Sequence, residues 1–250
     1  MTAQGRTGLR GSIAAAQLVC VCVCAGCFVV RGQRYADFVT PTPLALEHTL
    51  VIGFLGGRDK WNDDRRGTRK LALKLRGMKL PGVQVETVEN KERELAIELV
   101  RNALDCDRDG KLNEEEKKSA RIIMYGQSFG GAAVNKVARE LKVMGVPVLL
   151  TVQVDSVGRG DGLVPSNVTR AANFYQRDGF FIRGEKNFRA EDPTKTTILG
   201  NFEYSYRGKK INVSHLPWYQ RTFLTAHAKM DSDPQMWEKV EAMILGGIRK

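Results

Sequence analysis

A chain of 250 residues with 39 Lys and Arg against 28 Asp and Glu carries a net charge of +11 and can bury one sizeable core. Four of its five cysteines, Cys20, Cys22, Cys24 and Cys27, lie near the start and only Cys106 lies in the body, which excludes a disulfide framework there. The basic residues are scattered without an aromatic-interleaved run, so no specific nucleic-acid partner is expected, whereas a membrane surface is compatible with the charge.

Residues 1–30 differ in kind from the rest. Arg6 and Arg10 precede the apolar run SIAAAQLVCVCVCAGCFVV, and Arg31 and Arg34 follow it. A charged start and an apolar stretch of this length read as a signal peptide or an uncleaved membrane anchor. The expectation is an exported protein: periplasmic, secreted or anchored through this segment. No linker or internal repeat divides residues 31–250, so one domain is expected there.

From Thr49 onward, apolar runs alternate with amphipathic ones, the pattern of a parallel sheet covered by helices on both faces. TLVIGFLGG predicts a buried strand ending in glycines, DDRRGTRKLALKLRGM a helix and PGVQVETVEN a turn and second strand. KERELAIELVRNAL predicts a helix, with Leu95, Ile97, Leu99, Val100 and Leu104 gathered toward one face.

The next segment, DCDRDGKLNEEE, has the spacing of a calcium loop. Asp105, Asp107 and Asp109 occupy positions one, three and five, Gly110 six, Lys111 seven, Asn113 nine and Glu116 twelve. Alternate carboxylates can converge on one ion, glycine permits the sharp turn, Lys111 offers its carbonyl, and Glu116 can close the site with both oxygens. The loop resembles a single EF-hand or dockerin-like loop. Its second helix has room only for about EEEKKSA before RIIMYGQ begins a strand, and no second loop pairs with it. A bound Ca2+ is therefore expected to be structural and not a sensor.

RIIMYGQ leads into GQSFG, residues 126–130, and then into the helix GGAAVNKVARELKVMG, ended by Gly145. GxSxG between a buried strand and a helix forces a sharp turn that lifts the Ser128 hydroxyl above the carboxyl edge of the sheet. VPVLLTVQVDSVG follows as a strand buried on both faces, with Asp155 at its end. Beyond it, NVTRAANFYQ reads as a short helix, and GFFIRGEKNF and KTTILGNFEYSYRGKKINV as one or two strands. The last element is a helix over DPQMWEKVEAMILGGI, with Asp233 at its N-cap.

A serine nucleophile needs a base and a group to orient that base. There are three histidines. His48 precedes the first strand, at the far end of the sheet, while His215 and His227 both come late. His227, just before the final helix, is the expected base, with His215 the alternative. Asp155 is the expected acid, and Asp161, Asp178 and Asp192 are loop competitors. An oxyanion hole would use the N–H of Phe129 and one from GFLGG, at Leu55 or Gly56.

VIGFLGG, YGQSFGG, LLTVQVDSVG and the late histidine together resemble the α/β-hydrolase superfamily in its short lipase, esterase and thioesterase-like forms. The resemblance covers about Thr49 to the C-terminus. It implies a three-layer parallel-sheet sandwich, here with an EF-hand-like loop inserted between a helix and the nucleophile strand. It also implies a cofactor-free serine hydrolase of esters or thioesters acting on a small-molecule or lipid-like acyl substrate. There is no HGGG stretch after the first strand and no cap domain. The rival expectation is a non-catalytic, calcium-stabilised surface binding protein on the same scaffold, since a fold does not establish an activity.

Overall fold

The computed structural model describes residues 32–249. The expected export segment and its four cysteines lie outside them. Among the described residues, no helix is long and apolar enough to cross a membrane.

Six strands form one parallel sheet. They are β1 (Thr49–Leu55), β2 (Val83–Glu89), β3 (Arg121–Gln127), β4 (Val148–Val154), β6 (Val168–Gln176) and β8 (Thr197–Tyr204), in the order β2-β1-β3-β4-β6-β8. Two short strands, β5 (Leu163–Val164) and β7 (Arg189–Ala190), pair separately.

Side chains alternate across the strands and so build two cores, one on each face. Leu50, Ile52 and Phe54 of β1 and Ile122 and Met124 of β3 pack with α2 (Arg93–Leu104) and α4 (Phe129–Val143). Val51, Ile123 and Tyr125 point the other way, toward α1 (Gly67–Gly77), α6 (Thr225–Asp231) and α7 (Pro234–Ile248). This is the expected three-layer sandwich. Two further short helices, α3 (Glu114–Lys118) and α5 (Trp218–Phe223), lie in connections.

Most of the elements read from the sequence are present. The helix over DDRRGTRKLALKLRGM starts late, at Gly67, after a turn at 63–66. Asp233 caps α7 through Oδ1, which accepts from the N–H groups of Gln235 (3.0 Å) and Met236 (3.4 Å).

One expectation is overturned: NVTRAANFYQ is not a helix but the interior strand β6, paired in register with β4 from Val148↔Val168 to Val154↔Phe174. Ala171, Ala172 and Phe174 are fully buried between the two cores, where small and aromatic side chains fit a strand covered on both faces. GFFIRGEKNF is likewise irregular and not a strand.

The edge of the sheet at β2 is closed locally by one side chain. The Gln33 amide donates to the Thr87 carbonyl (2.8 Å) and accepts from the Glu89 N–H (3.1 Å), as a neighbouring peptide group would. The opposite edge, β8, is largely exposed.

Candidate active site

The chain runs outward from β1 to β2 in one direction and from β3 to β4 in the other. The carboxyl ends of β1 and β3 therefore flank the point where strand order reverses, where open α/β sheets form their crevice. Gly56 follows β1 and Ser128 follows β3 at this point. A hollow of about 390 Å³ opens there, lined by residues that include Gly56, Gln127, Ser128, Phe129 and His227.

Ser128 has φ 59° and ψ −127°, a conformation that side-chain-bearing residues rarely adopt and that costs on the order of 1–3 kcal/mol. Its N–H bonds to the Val154 carbonyl (2.9 Å), and its own carbonyl accepts from Gly131 (3.0 Å). The glycines around it are required by close approach. A Cβ on Gly126 would strike the Gly130 carbonyl, and one on Gly130 would strike the carbonyl of Phe54. Ser128 stands at the N-cap position of α4, yet its side chain makes no capping bond, so the hydroxyl is not committed to the helix. The Phe129 N–H, at the first turn of that helix, has no intrahelical partner to serve.

Asp155 also has positive φ (46°) and is fully buried at the end of β4. Its Oδ2 lies 2.6 Å from His227 Nδ1. The same oxygen accepts from Gln176 Nε2 (2.9 Å), and Oδ1 accepts from the Gln176 N–H (3.2 Å). Gly184 passes so close that a Cβ there would collide with Asp155 Oδ1. With the Nδ1 proton directed at Asp155, His227 Nε2 is left as an acceptor, and the Gln127 amide lies 3.1 Å from it.

His227 sits within α6, not on a loop before the final helix. The turn formed by α5 and α6 brings it back over the sheet edge. The alternative base, His215, lies apart from this group, with Nε2 3.4 Å from Ser232 Oγ, and its burial pulls its pKa down. Asp161 bonds Ser156, Asp178 bonds Ser205 and Tyr206, and Asp192 bonds Thr194; none of them contacts His227. His48 packs against Gly82 before β1. Of the two donors considered in GFLGG, Gly56 lines the hollow and a Cβ on it would come within 2.9 Å of Ser128 Cβ; Leu55 ends β1 beside it.

No family model matches the chain, and no curated protein matches it. Several solved structures do. A cutinase-like protein from Cryptococcus sp. shares 12% identity at a TM-score of 0.44, over 83% of this chain and 98% of that one. A thioesterase of the prodiginine biosynthetic pathway from Streptomyces coelicolor shares 12% at 0.42, over 86% and 100%. An α/β serine hydrolase without a lid from Xanthomonas campestris shares 11% at 0.39, over 85% and 86%. At such values the functional reading rests on the side chains.

Nothing local in the sequence marks Gln127, Gln176 or Gly184 as partners of the Asp155–His227 pair. Gln127 sits inside the GQSFG motif itself, so its place beside Ser128 is visible there, though its contact with His227 is not.

One side of the hollow is charged. Arg66 Nη2 holds Asp59 at 2.6 Å, its Nη1 lies 3.6 Å from Asp231, and its Nη1 also donates to Gln220 (2.8 Å). Burial pushes Asp59 up to about 6 against the pull of Arg66, with Asp231 and Asp63 adding to the rise. Asp231 is raised by burial in the same cluster. Asp63 is held below the usual carboxylate range, chiefly by its bond from Arg65.

Away from the hollow, the acidic loop is folded around its own carboxylates. Asp105, Asp107 and Asp109 bring oxygens within 4.8 Å of one another. Asp105 accepts from the N–H groups of Asp109 (3.1 Å) and Gly110 (3.0 Å), and Asp109 accepts from Lys111 (2.7 Å). Glu116 turns inward to accept from Cys106 (2.7 Å) and Asn113 (3.0 Å), while Asn113 Oδ1 caps α3 by accepting from Glu116 (3.0 Å). Convergent hard oxygens of this kind suit Ca2+.

Proposed function

We propose that the chain is a serine hydrolase of esters or thioesters. The carrying observation is the 2.6 Å contact between Asp155 and His227, made at the edge of the hollow that also contains Ser128. Ser128 Oγ attacks the substrate carbonyl as His227 Nε2 removes its proton. Asp155 holds the Nδ1 proton, fixing the tautomer and stabilising the imidazolium. The Phe129 and Gly56 N–H groups receive the oxyanion. The imidazolium then protonates the departing alcohol or thiol, and water, activated by the same base, releases the acid and restores Ser128. Gln127 must yield His227 Nε2 for the first step, so substrate entry includes a small shift of that amide.

Labelling with a fluorophosphonate probe tests this reading. The wild type is expected to label and Ser128→Ala to lose the label. His227→Ala should abolish turnover of model esters, whereas His215→Ala should retain it. Label undiminished in Ser128→Ala would sink the assignment, and a folded wild type with neither label nor turnover would favour the binding-protein alternative.

Two further parts belong to this proposal. Asp105, Asp107, Asp109, the Lys111 carbonyl, Asn113 and Glu116 hold a structural Ca2+, a reading supported by the convergence of the Asp105, Asp107 and Asp109 carboxylates. The ion fixes the connection from α2 to β3 and takes no part in the reaction. Residues 1–30 direct export, a reading supported by their charge and apolar pattern.

A further inference from the structure

The hollow at Ser128 combines two kinds of lining. The segment after β1 contributes Arg58, Asp59, Lys60, Asp63, Arg65 and Arg66. The acids among them are already engaged: Asp59 by Arg66, and Asp63 by Arg65 through two bonds of 2.8 Å. Lys60 lies 3.5 Å from buried Glu89. Arg58 is different: it is exposed, lines the hollow two residues beyond Gly56, and has no hydrogen-bond or ion-pair partner among the described residues.

The second lining is apolar. Phe129, Ile182, Pro217, Tyr219 and Leu224 face the same hollow. From Tyr219 an aromatic ridge continues outward through Trp218 (6.3 Å between centroids), Phe223 (6.0 Å), Phe181 (6.4 Å) and Phe180 (4.8 Å). Trp218 is 64% and Phe180 83% exposed. A contiguous exposed ridge of this kind at the mouth of a cavity marks a binding surface.

Resting on the reading of Ser128 as nucleophile, we infer that the substrate is an amphiphilic ester or thioester bearing an anionic group, carboxylate or phosphate. Its anion pairs with Arg58 and its apolar part lies along the aromatic ridge. A guanidinium suits this role because its planar donors match either anion in a two-pronged bond. A neutral acyl ester would make no use of the Arg58 charge.

The test compares p-nitrophenyl hexanoate with the p-nitrophenyl monoester of adipic acid, which differs by a terminal carboxylate. The wild type is expected to prefer the charged ester in kcat/KM. Arg58→Gln should lower the charged-to-neutral ratio about fivefold, through KM, and Arg58→Lys should recover part of it. The preference should also shrink with added salt. A wild type that favours the neutral ester, or a ratio unmoved in Arg58→Gln, overturns the inference while leaving fluorophosphonate labelling of Ser128 intact. Neither ester turned over and no label on Ser128 overturns both readings. A parallel assay on phosphatidylglycerol vesicles separates the two sources of the anion. Fatty acid released from the vesicles assigns it to a lipid headgroup, and turnover confined to the soluble ester assigns it to a free substrate.

Discussion

At the scale of single residues, the site depends on positions where the backbone does what side chains normally forbid. Ser128 and Asp155, at the ends of adjacent strands, both have positive φ. The surrounding packing supplies the cost of holding two such residues, and strain gathered in this way is typical of a reacting centre. Asp155→Asn tests the pair directly. The amide can still accept from Gln176, but it no longer favours the His227 tautomer that leaves Nε2 free. We expect kcat on a model ester to fall about 10³–10⁴-fold with little change in KM, measured by steady-state kinetics. The sequence marked Ser128, Asp155 and His227 because a glycine-flanked serine, a strand-end acid and a late histidine each have a local signature. Gln176 and Gly184 have none. Gln176 reaches Asp155 across 21 residues of sequence, and Gly184 is needed only because of what lies against it.

At the scale of elements, the loop from Asp105 to Glu116 replaces an ordinary helix-to-strand connection. Its N–H groups already point at carboxylates, so the chain gathers negative charge at one place with little cationic compensation. Lys117, just after the loop, is paired with Glu114 (2.8 Å), which is not among the expected ligands. Adding Ca2+ at a hundred times its dissociation constant should stabilise the fold by about 2.7 kcal/mol, or raise Tm by roughly 5–10 °C. Thermal unfolding with Ca2+ and with chelator measures this, and Asp105→Ala should remove the difference. An unchanged Tm together with no heat of Ca2+ binding would rule the site out.

The strand β6, where a helix is expected from sequence, shows the limit of local pattern. Composition alone cannot separate a strand buried on both faces from a short helix, because neither shows a polar stripe. What decides is pairing with β4 and β8, which no local window contains.

For the whole molecule, the order of the strands determined where a site could form, and the alternation of apolar runs was enough to foresee the layers. It was not enough to foresee the order beyond β4. The contacts that place β6 and β8 connect distant stretches of chain, and the segment 178–188 between them follows no repeating pattern. The ion cluster under the hollow was equally hidden, since it joins Asp59 and Arg66 to Asp231 near the other end.

That cluster makes stability depend on pH. Asp59 holds its proton more tightly folded, at about 6, than at its ordinary value of 3.8. Its contribution is therefore fully present below about pH 4 and is lost as pH rises through about 6. Asp59→Asn cannot ionise, so between pH 4 and pH 7 the variant should gain on the wild type by up to about 3 kcal/mol. Urea unfolding of both at the two pH values measures it, and a difference that stays constant would show that Arg66 fully compensates the buried charge.

The Gln33 amide that closes the β2 edge also sets a limit on processing. A cut that leaves Gln33 in place keeps a cap on two backbone groups of the sheet; one that removes it uncovers the Thr87 carbonyl and the Glu89 N–H together. An uncovered strand edge invites pairing with another chain. Gln33 is therefore a residue that the domain must keep.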